Sequence, residues 1–477
     1  MPSDLKSKAT KGVFWSAINN FSNQGISFLF TLILARLLLP SDYGIIAMVG
    51  IFFGIARIFV QCGFGAALIR KKDRTDTDLN TCFYFNIAVA CICYVILFFS
   101  SPYIADFFNQ PILKYIVRVS GIALLINSFG IIQNTQFSYR LDFKTTAKIT
   151  LTSNILAGLV AIYFAYKGYG VWSLVGKELI SSIINTGLLW LSSKWRPSLV
   201  FSKDSFRYLF GFGSKLLVSY LVGIIYENLY TLVIGKFYTP TQLGNYTRGV
   251  QWAQLPATNI TNVIQSVTFP VLSEIQDEGE RLKNNYIRIL RIITFAIFPI
   301  MIGLASVASP LIRVVLTSKW DGAILYLQIV CFALMWYPIH ALNLNLLQVK
   351  GRSDLFLRLE IVKRIIGIGI LCISASFGIT AMCIGLVIES LIALVVNTYY
   401  TGKIIQLGLF KQLFEVMPIL INSLLMGSLI YVSIGFISNE YIKLFIGIII
   451  GIIAYYIGSF VLCKNELEEL KGLLRKK

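Results

Sequence analysis

Charge is what this chain has least of. Asp, Glu, Lys and Arg make up 14% of its 477 residues, while 56% are apolar and the mean hydropathy is +0.73. A water-soluble fold of this size has too much surface to cover with so few charges, so a soluble enzyme or binding module is excluded. Acids are scarcer than bases, 23 against 42. The lone histidine, His340, and the eight scattered cysteines show no metal-ligand spacing. Cys91, Cys93, Cys372 and Cys383 fall in apolar segments, where a small buried side chain is their expected role. A phosphate-binding loop is missing as well. The nearest match, GVWSLVGK from Gly170 to Lys177, has five residues between its glycines where the motif needs four, and Glu178 follows the lysine. Loops on both faces are short, the longest running over 192–211, 271–289, 101–114 and 311–323. None of them can house a glycosyl-transfer site. The expectation is therefore no enzyme, no metal and no cofactor.

What the chain does have is apolar runs of about 20 residues from end to end, each long enough to cross a bilayer. Fourteen spans are expected, roughly over 13–36, 43–68, 80–100, 115–136, 149–167, 171–191, 212–236, 246–270, 290–310, 324–347, 359–377, 379–400, 413–437 and 441–463. The net charge of +19 is then a matter of placement. Most basic residues fall on the side shared by the N-terminus and the even-numbered loops, among them Lys6, Lys8, Lys11, the run Arg70, Lys71, Lys72 and Arg74, and the tail Lys471, Arg475, Lys476 and Lys477. That asymmetry places both termini in the cytoplasm and makes nucleic acid an unneeded partner. The first apolar run lacks a small-x-small cleavage site, so it is expected to stay as an anchor.

The first span ends in LARLLLPSDYG, Leu34 to Gly44, and the seventh in IGKFYTPTQLG, Ile234 to Gly244. A fixed offset of 200 residues pairs Thr31 with Thr231, Leu32 with Leu232, Pro40 with Pro240 and Gly44 with Gly244, and matches Arg36 with Lys236. Six spans lie between the copies, so both face the same way, as in a parallel repeat about an axis along the membrane normal. The expected fold is an all-α polytopic membrane protein of about 14 transmembrane helices: an N-terminal lobe over 1–207, a C-terminal lobe over 208–403, and two extra helices with a basic tail over 404–477.

Polar residues inside such spans are costly and so point to contacts or cavities. Asn19, Asn20, Asn23 and Gln24, with Ser16, Ser27 and Thr31, share one face of the first span. Gln251, Asn262 and Gln265 do much the same in the eighth, and His340 and Asn343 lie in the tenth. Hydrogen bonds between helices could account for such residues, but four carboxamides within six residues of the first span exceed what one contact needs, so a cavity lining is expected; for the histidine packing is the better explanation. Arg57 is sharper. It stands near the middle of the second span with Gln61 on nearly the same face, and a central arginine costs about 2.5–3.5 kcal/mol on insertion scales. An ion pair with Glu178, Glu227 or Glu389, water, or an anionic substrate must offset that. Lys215, Arg36 and Arg248 are further candidates for an anion, although Arg36 stands where arginines often snorkel to the interface. Glu227, Glu389 and Glu178 are candidates for ion coupling.

Three segments, LARLLLPSDYGIIAM at 34–48, QFSYRLDFKTTA at 136–147 and YGVWSLVGKELI at 169–180, resemble the Wzx-type polysaccharide flippases, in particular their colanic-acid and lipopolysaccharide exporter branch. That family belongs with the MATE multidrug exporters and the lipid II flippases in the MOP superfamily. The resemblance implies a two-lobed, MATE-like fold in the bacterial cytoplasmic membrane that moves undecaprenyl-diphosphate-linked oligosaccharide to the outer leaflet by alternating access. It also implies that basic cavity residues meet the diphosphate, with Arg57 where lipid II flippases carry an arginine. Its partners would be the lipid-linked glycan, the bilayer, and polysaccharide polymerase and chain-length machinery. A cation-coupled drug exporter of the same fold is the alternative, and a membrane polymerase or transferase acting on the same lipid is a second.

Overall fold

The computed structural model describes residues 22–475, in which helices and short turns occur and no strand. Helices cover each expected span, the first from residue 22 onward. Ten are long and apolar enough to cross a membrane among the described residues, or up to eleven if one bent pair counts as a span. Of the other three expected spans, the first is described only from residue 22, and two are helical but more polar. These two are α10 (Pro240–Glu274), studded with Asn, Gln and Thr, and α15 (Ser353–Ser374), which carries Arg358, Glu360, Lys363 and Arg364. The chain forms two compact units, Met1–Gly244 and Asn245–Lys477.

The first unit runs α1 (22–37), α2 (Pro40–Gln61), α3 (Phe64–Arg70), α4 (Asp76–Phe108), α5 (Leu113–Ser128), α6 (Ile131–Tyr139), α7 (Phe143–Tyr166), α8 (Trp172–Ser192) and α9 (Lys203–Phe237), and ends in the first turn of α10. The two proline turns found in the sequence start helices in the same way. Pro40 sits in the first turn of α2, and the Asp42 carboxylate accepts from the Leu39 N–H at 2.9 Å. Before α10, the Gln242 side chain accepts from the Thr239 N–H at 3.1 Å and the Thr239 hydroxyl accepts from the Gln242 N–H at 3.3 Å. The two turns also meet. A Cβ on Gly44 would overlap the carbonyl oxygen of Pro240, and a Cβ on Gly244 would overlap that of Pro40. Each glycine is thus the space into which the other copy's proline carbonyl fits.

Several expected spans are broken, the ninth only near its end, at Val307. The second divides at Cys62 and Gly63, both left-handed, with φ of 43° and 66°. α9 packs against this break, and its Gly213 comes so near that a Cβ there would overlap the Cys62 carbonyl. The fourth bends by 43° between α5 and α6. In the second unit, the tenth is split into α13 (Gly322–Leu334) and α14 (Tyr337–Val349), with Pro338 in the new first turn. The link expected over 101–114 is instead mostly helix, because α4 continues through Pro102 to Phe108. Proline leaves the carbonyl four residues back without its donor. Here the Ser101 hydroxyl supplies one, donating to Phe98 O at 2.7 Å, while Arg118 Nε donates to the same hydroxyl at 2.9 Å. The link expected over 311–323 likewise holds the end of α12 (Ala308–Val315) and a short helical turn, Ser318–Trp320.

In the second unit α11 (Gly279–Ser306) packs on α17 (Leu409–Gly435), which packs on α18 (Glu440–Leu462), and α13 packs on α16 (Ile379–Ile405). The terminal α19 (Lys464–Arg475) is tied to α11 by charge. Arg291 Nε donates to Glu415 on α17 at 2.8 Å and Arg291 Nη1 lies 3.5 Å from Glu466, while Arg288 pairs with Glu469.

Candidate functional site

In the first unit, α2, α5 and α8 enclose an open cavity of about 460 Å³, within the range of ordinary ligand sites. Arg57 and Gln61 reach it from one face of α2, Asn127 and Ser128 from the end of α5, and Lys177, Glu178, Ser181, Ser182 and Asn185 from α8. The α8 residues are spaced by three, four and one, so a single helix face carries them all. Two links hold α8 in register with α5 and the residue that follows it: the Thr186 hydroxyl donates to Ile126 O at 3.2 Å, and Trp190 Nε1 to Phe129 O at 2.9 Å. Both acceptors lie at or beside the bend between α5 and α6, so the irregular backbone there is used to fix the cavity wall.

Across the cavity Arg57 Nη2 pairs with Glu178 Oε1. This pair answers the cost of an arginine within a span, and of the three expected carboxylate partners Glu178 is the one that the geometry brings to it. Both side chains stay open, at 55% and 36% exposure, so the pair is worth at most about 1 kcal/mol and can be exchanged for another partner. The lining holds two cations, Arg57 and Lys177, against one carboxylate, and is otherwise rich in amide and hydroxyl groups. Chemically, it suits a small anionic group attached to something that makes many neutral hydrogen bonds. Among the described residues no group of His, Cys, Asp and Glu is arranged to hold a metal ion.

Arg57, Gln61 and Glu178 are therefore brought together, and the other expected residues sit elsewhere. Asn19 and Asn20 lie outside the described residues. Asn23 accepts from Asn154 Nδ2 at 3.2 Å, linking α1 to α7, and Gln24 beside it is exposed. Arg36 is exposed at the end of α1, and its counterpart Lys236 donates to the carbonyl of Phe107 at the end of α4, 2.6 Å away. Lys215 and Glu227 are exposed on α9. In the second unit Arg248 is buried with its guanidinium 5.5 Å from the Trp320 ring centre, and donates to Gln251 at 2.6 Å. Asn262 and Gln265 are exposed along α10, and Glu389 is half-buried on α16. His340 is held between Ser390 at 3.1 Å and Asn397 at 3.4 Å. Asn343 is 1% exposed and fully engaged, donating to Ile339 O and Gln412 and accepting from Thr401 at 2.6 Å and Gln412 at 3.1 Å. Both are structural links between helices of that unit.

Sequence reasoning missed Lys177, Asn127 and the serine-rich face of α8. The signal was present, as polar residues at helical spacing from Lys177 to Asn185 within an otherwise apolar span.

Fold and cavity together define a polytopic membrane protein with an open polar site walled by its own helices, the class to which membrane carriers belong. Residues 33–325 match the family described as "Polysaccharide biosynthesis protein", and the chain belongs to that family. It is 27% identical over 430 residues to the teichuronic acid biosynthesis protein TuaB of Bacillus subtilis, a match covering 88% of each chain. It is 24% identical to the lipopolysaccharide biosynthesis protein WzxC of Escherichia coli over 404 residues, 83% of this chain and 80% of that one. Among solved structures, the lipid II flippase MurJ in an inward closed conformation superposes with a TM-score of 0.78 over 95% of this chain and 100% of that chain. At 17% identity that likeness shows the shared fold.

Proposed function

We propose that this protein is a flippase for diphosphate-linked lipid oligosaccharides, moving the repeat unit of a surface polysaccharide from the cytoplasmic to the outer leaflet of the cytoplasmic membrane. The observation that carries this reading is the cavity around Arg57, a cationic and hydrogen-bonding site set among apolar helices in a member of a polysaccharide biosynthesis family. A diphosphate calls for positive groups, and guanidinium pairs with it through two parallel hydrogen bonds. Sugars call for the amides and hydroxyls of α5 and α8. The polyprenyl chain has no need of a protein site, because the bilayer solvates it. The cavity then lowers the cost of taking the polar head across the apolar layer, and the protein does so without making or breaking covalent bonds. Polymerase and chain-length machinery would take up the unit on the outer side.

The test is replacement. In a host whose own exporter of this class has been deleted, the chain should restore surface polysaccharide. Arg57→Ala should restore none while reaching the membrane at the same level. Normal surface polysaccharide with Arg57→Ala would remove Arg57 and its cavity from the mechanism.

A further inference from the structure

The substrate site is already occupied by the protein itself. Arg57 faces the cavity, yet its guanidinium is engaged by Glu178 from the opposite wall. Two features argue against a purely structural strut. First, Thr186 and Trp190 already fasten α8 to α5 and to Phe129 just after it, and α5 in turn packs on α2, so the pair is not needed to hold the wall. Second, both partners remain open, and an exposed ion pair contributes little to holding a fold together.

We propose that Glu178 is an internal counter-anion that holds the Arg57 site while the cavity is empty and is exchanged for the diphosphate of the substrate. The inference rests on the flippase reading above and adds to it a second, opposing residue. The charge count fits an exchange. With Glu178 paired to Arg57 the three ionic lining residues leave a net charge of plus one. With Glu178 turned away, Arg57 and Lys177 together match the two negative charges of a disubstituted diphosphate. Exchange also answers a problem that any carrier faces. A bare arginine would bind a diphosphate tightly and release it slowly, whereas a resident carboxylate competes for the same guanidinium and assists departure. The gain is turnover, obtained at some loss of affinity.

The measurement is diphosphate binding to the purified full-length protein in detergent, followed by calorimetry with inorganic pyrophosphate and with geranylgeranyl diphosphate. Export in the replacement host is measured alongside. Glu178→Gln keeps the shape of the side chain and removes the competing charge. It should bind geranylgeranyl diphosphate about three- to fivefold more tightly than wild type while exporting less polysaccharide. Arg57→Ala should lose binding. Pyrophosphate should rank the three proteins in the same order, and a ranking seen with geranylgeranyl diphosphate alone would mean that the lipid chain rather than the diphosphate competes with Glu178, against the proposal. Unchanged or weaker binding by Glu178→Gln, with normal binding by wild type, would overturn the exchange and leave the flippase reading standing. No diphosphate binding by wild type would overturn both. Thermal unfolding of each variant separates these outcomes from misfolding.

Discussion

A polar side chain in an apolar helix has two possible meanings, and the difference lies in what faces it. Asn343 and Asn262 illustrate both. Asn343 is enclosed by Ile339, Thr401 and Gln412 and engages each of them, whereas Asn262 stands exposed on α10. Asn343→Ala would leave the buried Gln412 short of a partner, at a cost of about 1–2 kcal/mol, so its thermal unfolding in detergent should occur at clearly lower temperature than in wild type. Asn262→Ala should change stability by no more than about 0.5 kcal/mol. In the sequence the two look alike. Arg57 was legible because a charge within a span is too costly to ignore. Its partner Glu178 was one of three equal candidates, since only packing decides which carboxylate comes within reach. Lys177 is hidden for a different reason: it stands in a failed phosphate-binding motif, which masks its place in a polar stripe.

At the scale of helices, the apolar length of each segment announced it, and the breaks went unannounced. Cys62 is not a residue that favours a left-handed backbone; the approach of Gly213 from α9, some 150 residues away in sequence, accompanies that turn. The same helix supplies its own control. Gly213→Val should destabilise the protein by about 1–3 kcal/mol, because the added side chain meets backbone, which cannot yield as a flexible side chain can. Gly223→Val, where nothing stands within 4 Å of a new Cβ, should leave unfolding temperature and yield near wild type. The terminal helix offers a second case. If Arg288 and Arg291 hold α19 through Glu469 and Glu466, their double replacement by alanine should speed proteolytic removal of α19 several-fold in membranes. An unchanged cleavage rate would mean that the apolar face of α19, with Leu467 buried, holds it alone.

For the whole molecule, the composition settled the class, since so few charges can only clothe a protein that lipid surrounds. The distribution of basic residues speaks to orientation. A green fluorescent protein fused after Lys477 should fluoresce and an alkaline phosphatase fused there should be inactive, as both report a cytoplasmic C-terminus. The opposite pair of results would reverse the topology. The division of the chain answers two separate questions. Repeats in the sequence group α9 with the helices C-terminal to it, whereas contacts group it with α2, α3 and α4 in the first unit. A repeat records which segments correspond, and compactness records which ones touch.

The mutual fit of Pro40, Gly44, Pro240 and Gly244 has the logic of an isologous interface, in which i meets j wherever j meets i. One contact is therefore made twice over, and neither glycine can be replaced alone, because each accommodates the carbonyl of the other's proline. Gly44→Val and Gly244→Val should therefore be matched lesions, with equal losses of stability and export, and compensating changes for one should arise at the proline turn of the other.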